Sequence, residues 1–324
     1  MRKYYSTFAA GFENLAARFL EADLPGVKNI KKMEGALAYE ADAEPDDIKA
    51  AKYFKNTFAV LREFAGKSLE EMGAMIGGAA APKAARTFKL VVSDSGELVS
   101  MDGAAKAKLV DSIGRQSGLS YRVGAGDIEY WLLRRADGSG FFMRRLTKTH
   151  AAPAAGELEP HVAMLLVRAS EPVSGEKFID PFCGHGSIPL ARSRIGKYRA
   201  IFALDIDAQE ICALRSRIRA LKNARVKKSL FVKHLDFFEN RFIKKYADAI
   251  VTDPPWGKYG RVDADFYGRM MIEMERILRP GGKLVILTAR EIKLPLPPLL
   301  EEKESHDVLI HGKKASVRLF ARVR

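Results

Sequence analysis

The chain has 324 residues, and its 54 Lys and Arg against 40 Asp and Glu give a formal net charge of +14, a balance that attracts nucleic acid. With 47% hydrophobic and 29% charged residues it is globular rather than disordered, and its length suits two domains. No apolar run is long enough for a membrane helix, no secretory signal follows the N-terminus, and two cysteines exclude a disulfide scaffold, so we expect a cytoplasmic protein.

The composition changes near residue 150. Residues 1–150 carry a surplus of four positive charges, and residues 151–324 carry a surplus of ten. The stretch HAAPAAGELEP at 150–160 contains the helix breakers Pro and Gly, which is typical of a linker. We therefore predict two domains, 1–150 and 151–324.

The first domain is predicted to be mixed α and β. Its apolar patterns indicate, in chain order, a strand in YYSTFAAG, a helix over Phe12–Leu24, a strand pair around KNIKKMEGALAYEA and a helix over Thr57–Met75. A flexible join at 77–85 precedes a strand in TFKLVVS and a helix over Ala104–Gln116. The ADGSG segment then separates two runs of strand-forming residues, which predicts a hairpin.

The second domain alternates strands and helices. Five strands are predicted in KFIDPF, AIFALDI, SLFVKHLD, ADAIVTD and KLVILTA, with helices over Ile188–Ile195, Ala208–Lys222 and Phe266–Leu278. Such alternation predicts a mostly parallel, Rossmann-like sheet with helices on both faces. The final HDVLIHGKKASVRLFARV contains two strand-like runs around a turn, so a C-terminal hairpin should bring the sheet to seven strands and make at least one antiparallel.

A glycine-containing loop follows the first strand of the second domain. The segment from Asp180 to Ser187, DPFCGHGS, leaves a strand and enters a helix, and its two glycines let a ligand approach the backbone closely. Pro189 stands where a dinucleotide fingerprint would have its third glycine, which disfavours NAD and FAD. Taken alone, the loop is equally compatible with an ordinary tight turn.

Acidic residues also end the next two strands. Asp205 in ALDID lies where a carboxylate can accept hydrogen bonds from a pair of ribose hydroxyls. Asp236 in HLDFF could accept one from an exocyclic adenine amine, with Phe237 packing beside the ring. Three consecutive acidic strand ends, with the glycine loop at the first, are a much stronger signal than the loop alone.

A second motif, DPPWG from Asp253 to Gly257, follows the fourth strand. Ligands of open α/β sheets bind beyond the carboxyl ends of the strands, so this motif is expected beside the glycine loop. The Asp253 carboxylate and the Pro254 carbonyl can both accept hydrogen bonds from one amino group, and two prolines fix the backbone so that the acceptors converge. Trp256 offers a flat face for an extruded base. The alternative is a Pro-Pro turn with a buried Trp.

These motifs resemble those of the class I S-adenosylmethionine-dependent amino-methyltransferases. DPFCGHG, ALDID, LDFF and DPPWG are similar, over residues from about 150 to 324, to the pattern of RNA methyltransferases that methylate the exocyclic N2 of guanosine in tRNA or rRNA. The resemblance implies S-adenosylmethionine as the cofactor and RNA, foremost tRNA, as the partner. It also implies an RNA-binding N-terminal region with a ferredoxin-like unit at about 1–80 and a THUMP-like unit at about 85–150.

The resemblance further assigns roles to single residues. The methionine end of the cofactor would lie against Asp180, Gly184 and Gly186, the ribose against Asp205 and the adenine amine against Asp236. The complete set of implied cofactor-binding residues is Asp180, Phe182, Cys183, Gly184, Gly186, Ser187, Asp205, Ile206, Asp236 and Phe237. The implied catalytic residues are Asp253, Pro254, Pro255 and Trp256, which hold the target amine and stack its base.

Two residues of the loop are interpreted more plainly. His185 departs from the family, whose members often have Ser, Thr or Arg there, and we interpret it as a loop-surface histidine. Cys183 is interpreted as a small buried loop residue, without a partner that would make it a nucleophile.

The implied reaction is a direct in-line displacement at the sulfonium methyl, without a metal or a covalent enzyme intermediate. Hydrogen bonds from the target amine to Asp253 and to the Pro254 carbonyl would favour a lone pair localised towards the methyl. Positioning of this kind can supply about 7–11 kcal/mol of barrier reduction. The proton leaves through Asp253 or to water, and both routes are open.

Two basic segments bear on RNA binding. Residues 211–249 carry 11 Lys and Arg against three acids, but they belong to the cofactor half of the sheet, and we interpret them as a solvated face. The hairpin segment 134–148, with two phenylalanines interleaved, is the better candidate. The RNA-contacting residues predicted there are Arg134, Arg135, Arg144, Arg145 and Lys148.

Three alternatives stay open. An adenine-N6 methyltransferase acting on rRNA, tRNA or DNA could use the same motif, although only about 25 residues separate Gly257 from the next strand, few for the target-recognition insertion of a DNA enzyme. A non-catalytic RNA-binding protein with a decayed methyltransferase fold is opposed by the intact Asp253 and loop glycines. A small-molecule methyltransferase would leave residues 1–150 without a purpose. We expect a monomer with no obligate protein partner.

Overall fold

The computed structural model describes residues 1–77, 79, 81–148, 153, 156–257, 263 and 265–323. Its contacts divide the chain into two compact units: the first contains Met1–Thr7 and Leu20–His150, and the second contains Phe8–Phe19 and Ala151–Arg324. The linker predicted at 150–160 and the join predicted at 77–85 both fall partly outside the described residues. No helix in the described ranges is long and apolar enough to cross a membrane.

The first unit is a mixed sheet with short helices. The strands are β1 (Arg2–Thr7), β2 (Lys28–Met33), β3 (Ala36–Ala41), β4 (Asn56–Ala65), β5 (Thr87–Asp94), β6 (Glu97–Leu98), β7 (Ser120–Tyr121), β8 (Ile128–Arg134) and β9 (Ser139–Arg145). The helices are α1 (Glu13–Asp23), most of which belongs to the second unit, α2 (Pro45–Ala50), α3 (Leu69–Ala74) and α4 (Gly103–Ser117).

These strands form one continuous sheet in the order β2-β3-β1-β4-β9-β8-β5-β6, with β7 paired to β5. The first six elements alternate as strand, helix, strand, strand, helix, strand, and their four strands are antiparallel neighbours, which is the ferredoxin-like arrangement. Strand β4 then pairs with β9, so the predicted β8–β9 hairpin continues the same sheet. Helices α3 and α4 pack against the half of the sheet formed by β9, β8 and β5. There Leu109 and Ile113 of α4 contribute to a buried cluster with one aromatic residue from each of these strands, Phe142, Tyr130 and Phe88.

The helix predicted over Thr57–Met75 is wrong. Residues Asn56–Ala65 form strand β4, which is hydrogen-bonded to β1 on one side and to β9 on the other, and only Leu69–Ala74 is helical. The register with β9 shifts between Val60 and Arg62. Such a bulge interrupts the two-residue alternation of a strand, so the apolar spacing of this segment imitates a helix.

The second unit contains the seven-stranded sheet. Its strands are β10 (Lys177–Asp180), β11 (Ala200–Asp205), β12 (Leu230–His234), β13 (Ala247–Thr252), β14 (Leu278–Ala289), β15 (Leu300–Ile310) and β16 (Lys313–Arg322). Its helices are α5 (Pro160–Ala169), α6 (Ser187–Arg192), α7 (Ala208–Ala220), α8 (Ala224–Ser229) and α9 (Phe266–Ile277), with a 3₁₀ turn at Phe237–Glu239.

The strand order is β12-β11-β10-β13-β14-β16-β15. Strands β10 to β14 are parallel, and β16 runs antiparallel to both β14 and β15, which confirms the predicted Rossmann-like sheet with a C-terminal antiparallel hairpin. One face packs against α9, whose Met270, Met271 and Met274 are fully buried against Ile179 and Ile250. Strand order and face packing together bring the carboxyl ends of β12, β11, β10 and β13 side by side.

Candidate cofactor and target-base site

Four neighbouring parallel strands end at or just before an aspartate. Strands β10 and β11 end at Asp180 and Asp205, Asp253 directly follows β13, and Asp236 lies two residues beyond β12. Because the strands are adjacent, these side chains share one edge of the sheet, where open α/β folds bind ligands. No group of three or more acidic, His or Cys side chains in the described ranges is arranged to hold a metal ion.

Asp180 is the most deeply buried of the four, with 1% of its surface exposed. Its Oδ1 accepts hydrogen bonds from the Thr252 hydroxyl at 2.7 Å and from the Phe182 amide at 3.3 Å. Its Oδ2 is buried and has no hydrogen-bond partner among the described residues. Burial raises the pKa of Asp180 to about 8; the two hydrogen bonds oppose this rise, and the charges of Asp205 and Asp253 add to it.

The glycine loop needs its second glycine for two reasons. Gly186 has a φ of +84°, and a Cβ built there would lie 2.2 Å from a Leu214 methyl on α7. Gly184 also has a positive φ, and its amide donates to Asp205 Oδ2 at 2.8 Å. Cys183 is buried, and burial raises the pKa of its thiol, so the sulfur stays protonated, as expected of a structural loop residue.

One face of α7 holds this loop in place. Glu210, Leu214 and Arg217 are spaced four and three residues apart, so they share a helix face. Glu210 Oε2 lies 2.5 Å from His185 Nδ1, and Arg217 donates to the His185 carbonyl at 2.9 Å. The same Arg217 nitrogen lies 2.6 Å from Glu157 Oε1. Burial raises the pKa of Glu210, and the neighbouring His185 opposes this rise. His185 is therefore half-buried and paired, not a free surface histidine.

The other two acids organise the turns that follow their strands. Asp205 accepts from the Gly184 amide and, through Oδ1, from the Asp207 amide at 2.9 Å. The next residue, Ile206, is an apolar side chain with 68% of its surface exposed. Asp236 accepts from the Phe238 amide at 2.9 Å and begins the 3₁₀ turn.

An aromatic cluster lies beneath the loop. Phe182 packs edge-on against Phe237, with ring centroids 5.5 Å apart, and also contacts Phe266 at 5.7 Å. Phe238 contacts both Phe237 and Phe266. Phe237 is buried within this cluster, so it supports the loop and the 3₁₀ turn from below.

The DPPW turn is held at both ends. The Trp256 indole N–H donates to Asp253 Oδ1 at 2.8 Å, and the Tyr267 hydroxyl, on the first turn of α9, donates to the Pro255 carbonyl at 2.7 Å. Burial raises the pKa of Asp253 to about 7, and the Trp256 hydrogen bond opposes the rise. Pro254 is buried and Pro255 is exposed, so the turn faces outward at its second proline.

The predicted RNA-contacting residues lie in the β8–β9 hairpin of the first unit or just after it, and two of them form ion pairs with carboxylates of the same unit. Arg134 makes a two-point contact with Asp94 at 2.9 and 2.6 Å. Arg145, with 11% of its side chain exposed, pairs with Glu129 at 3.0 Å and also contacts Asn56. Arg135 donates to the Tyr5 hydroxyl and to the Glu34 carbonyl. Arg144 is half-buried and Lys148 is exposed. Neutralised in this way, Arg134 and Arg145 offer little free charge to a phosphate.

Four residues that organise the site were not predicted: Thr252, Glu210, Arg217 and Tyr267. The helical spacing of Glu210 and Arg217 after an acidic strand end is a signal that could have found them. Thr252 and Tyr267 carry no sequence signal, because their partners Asp180 and Pro255 meet them only through the fold.

The chemistry of this donor set fits S-adenosylmethionine. The cofactor carries a positive sulfonium and a positive amino group, and the strand ends offer carboxylates, one of them with an orphaned buried oxygen at Asp180. The exposed Ile206 beside Asp205 provides apolar surface for a flat ring. The residues present could therefore hold this group.

Comparisons with known proteins agree with this chemistry. The family model described as UPF0020, RMKL-like methyltransferase domain, matches residues 148–308. The tRNA (guanine(6)-N2)-methyltransferase of Thermus thermophilus is 31% identical over 154 residues, which are 44% of this chain and 43% of that protein. The U6 snRNA (guanine-N(2))-methyltransferase THUMPD2 of Bos taurus is 26% identical over 134 residues, 41% of this chain and 26% of that protein. This chain thus spans less than half the length of both relatives.

A third relative is covered almost completely. A probable tRNA (guanine(10)-N2)-dimethyltransferase of Methanothermococcus thermolithotrophicus is 30% identical over 165 residues, 46% of this chain and 90% of that protein. Among solved structures, TrmN from Thermus thermophilus matches with a TM-score of 0.79 at 18% identity, over 100% of both chains. SMU.472 complexed with SAH matches with a TM-score of 0.69 at 13% identity, over 100% of this chain and 98% of that one. The structural likenesses show a shared fold over the whole chain. The sequence matches show that the chain belongs to the RMKL-like methyltransferase domain family, whose cofactor is S-adenosylmethionine.

Proposed function

We propose that this protein transfers a methyl group from S-adenosylmethionine to the exocyclic N2 amine of a guanosine in RNA, foremost tRNA. The observation that carries the proposal is the DPPW turn at the end of β13, where Asp253 and the Pro254 carbonyl lie next to the glycine loop of β10. The guanine-N2 specificity named for three curated relatives supports the choice of target amine.

In this proposal the protein's own residues position and polarise the amine. One N–H of the target donates to Asp253 and the other to the Pro254 carbonyl, which favours a lone pair directed at the incoming methyl. Trp256 stacks on the extruded base while its indole N–H keeps Asp253 oriented. Preorganised acceptors stabilise the positive charge that develops on nitrogen, and such acceptors are worth more in a partly buried site than in water. When bound, the cofactor supplies an electrophilic methyl and a neutral leaving group.

The cofactor would lie across the four acidic strand ends. We assign the methionine portion to Asp180 and the loop from Phe182 to Ser187, the ribose to Asp205, and the adenine to Asp236 with Ile206 as an apolar neighbour. Phe237 would act from beneath, as part of the aromatic cluster. The assignment is supported by the orphaned Asp180 oxygen and by the amide of Gly184, which ties the loop to Asp205.

The first unit would bind the RNA. We propose that residues 1–150 include a THUMP-like region at about 85–150, a proposal supported by the ferredoxin-like order of the first four strands and the fold shared with TrmN. A tRNA-modifying enzyme of this kind would act in the cytoplasm, and we propose that it acts as a monomer.

The proposal is tested by transfer of a labelled methyl group to total tRNA and rRNA, followed by nucleoside mass spectrometry. N2-methylguanosine is the expected product. N6-methyladenosine as the sole product would overturn the guanine assignment, and absence of S-adenosylmethionine binding in calorimetry would favour a non-catalytic RNA-binding protein. An Asp253→Ala protein with full activity would contradict the mechanism.

A further inference from the structure

The β12 edge of the second unit carries a surface that the proposed chemistry does not use. Strand β12 is the outermost strand of the seven-stranded sheet, and both β12 and the loop that precedes β13 place an aromatic ring against Phe202. We call this surface the edge patch and define it by Phe231, Lys233, Arg241, Ile243, Lys244 and Lys245.

The half-buried ring of Phe202 on β11 contacts both segments of the edge patch, which are β12 and the loop that precedes β13. Phe231 stacks on Phe202 of β11 with centroids 5.2 Å apart and an interplanar angle of 22°. Phe242 contacts the same Phe202 ring at 5.3 Å, and Tyr246 contacts it at 5.7 Å. The residues between Phe242 and Tyr246 therefore lie close to β12. Lys233 lies two residues after Phe231, so it projects from the same face of the strand.

The patch exposes apolar surface among cations. Phe231 has 44% of its surface exposed and Ile243 has 71%, whereas most large apolar residues of this unit are buried. Lys233, Arg241, Lys244 and Lys245 are all exposed. Within the described part of the chain these four cations make no side-chain hydrogen bond or ion pair, and Glu239 is the exposed acid nearest to them in sequence.

This contrasts with the hairpin of the first unit. There Arg134 and Arg145 each pair with a carboxylate, Arg134 with Asp94 at the surface and Arg145 with Glu129 in a largely buried contact. At the edge patch the positive charge stays available. Polyanion binding depends on cations that can displace the counterions of phosphates, and unpaired surface cations do this better than paired ones.

We propose that the edge patch binds a single-stranded segment of the RNA substrate, with its phosphates on the four cations and an unstacked base on the Phe231 ring. An exposed ring among cations is the combination that recognises unpaired nucleotides, because every base has a face that can stack. A duplex would engage the cations only. The choice of RNA as the ligand rests on the proposed function. With this assignment, part of the basic segment of residues 211–249 binds RNA and is not only a solvated face.

The test compares two double variants of the full chain that remove the same charge. Lys233→Ala/Lys244→Ala removes patch charge, and Lys293→Ala/Lys314→Ala removes two exposed lysines from the loop after β14 and from β16, which lies five strands from β12 in the sheet. RNA binding is measured by fluorescence anisotropy with a labelled tRNA and a labelled poly-pyrimidine RNA over a series of salt concentrations. We expect the patch variant to lower the salt slope of log K by about 1.5, because each phosphate contact contributes about 0.7–0.9, and the control to leave it unchanged. Equal slopes for the two variants would overturn the proposal.

Phe231 provides the second arm. Phe231→Ala should weaken binding of the single-stranded RNA at least about fivefold at constant salt, Phe231→Tyr should restore it, and a fully paired RNA duplex should bind both variants as it binds the wild type. Loss of duplex and single-strand binding together would contradict a stacking role. Thermal unfolding of each variant separates lost binding from lost folding.

The outcomes also separate this inference from the proposed function. If the wild type forms N2-methylguanosine but the patch variants bind RNA like the controls, the inference fails alone. If the patch variants lose RNA binding while the wild type makes no N2-methylguanosine, the proposed reaction fails and the binding surface stands.

Discussion

The indole N–H of Trp256 donates a hydrogen bond to Oδ1 of Asp253 at 2.8 Å, so the side chain assigned to stack the target base also fixes the carboxylate assigned to hold its amine. A target amine must therefore use the other carboxylate oxygen or share the first. The two functions of the turn are coupled through one bond, and a change in either residue should alter both.

This coupling predicts the pH dependence of methyl transfer. The pKa of Asp253 is raised to about 7 by burial, and only the charged form accepts hydrogen bonds with both oxygens. We expect kcat/KM to rise with pH through about 7 and to reach a plateau above it. Trp256→Phe removes the hydrogen bond that opposes the rise, so the midpoint should move to higher pH. Asp253→Asn should abolish the rise of kcat/KM with pH and reduce kcat about 100-fold or more. A profile of Trp256→Phe identical to wild type would contradict the coupling.

Tyr267 should act as a positioning residue for the DPPW turn. Its hydroxyl donates to the Pro255 carbonyl at 2.7 Å, so Tyr267→Phe should make the turn less rigid without weakening cofactor binding. We expect kcat to fall about tenfold while the dissociation constant of S-adenosylmethionine, measured by calorimetry, stays the same. The control is Tyr246→Phe, because the Tyr246 hydroxyl makes no hydrogen bond among the described residues. Equal kcat values for the two variants would exclude this role.

Gly186→Ala should damage the cofactor loop. The added Cβ would lie 2.2 Å from Leu214 at a φ of +84°, so overpacking adds to backbone strain, and about 2–4 kcal/mol of unfolding free energy should be lost. Gly175→Ala is the matched control, since Gly175 has a φ of +79° and nothing within 4 Å of its Cβ position. That variant should lose only about 1–2 kcal/mol. Urea unfolding measures both, and equal losses would show that Leu214 does not restrict the loop.

Asp180 should make the protein less stable as pH rises. Its pKa is raised to about 8 in the folded state from an ordinary value of 3.8, so between these values the folded protein binds a proton that the unfolded chain lacks. Stability from this group is therefore greatest at low pH and is lost as pH rises through about 8. Asp180→Asn cannot titrate and keeps an oxygen for Thr252, so its stability relative to wild type should increase from pH 5.5 to 8.5. A constant difference in urea midpoint across this range would count against the burial effect.

The sequence predicted the catalytic sheet well because each of its parallel strands is a short apolar run that ends in a recognisable motif. Helix α5 was not predicted, since nearly all of PHVAMLLVRA is buried and no polar face marks its period. Strand β4 was assigned as a helix because its bulge hides the alternation and its stability comes from strands that are distant in sequence.

The candidate site was predicted at the level of motifs rather than contacts. Asp180, Asp205 and Asp253 each follow a strand, so their shared edge is a consequence of topology. The ion pairs of the basic residues could not be predicted from the sequence. Arg134 pairs with Asp94, 40 residues earlier in the chain, so an arginine of a basic segment is neutralised by the fold. Trp256 and Asp253 were assigned to different tasks, and their mutual hydrogen bond depends on the shape of the turn.

The segment Phe8–Phe19 belongs to the second unit although it lies at the opposite end of the chain. Phe12, Leu15 and Ala16 are buried, the Leu309 amide of edge strand β15 donates to the Ala10 carbonyl at 2.9 Å, and a Cβ at Gly11 would lie 2.0 Å from the Asp307 carbonyl oxygen. A fragment cut at residue 150 would therefore lose part of its own core and leave a backbone amide of β15 unpaired. The second unit is therefore completed by a segment that is synthesised before most of the first unit, and residues 151–324 alone do not contain all of it.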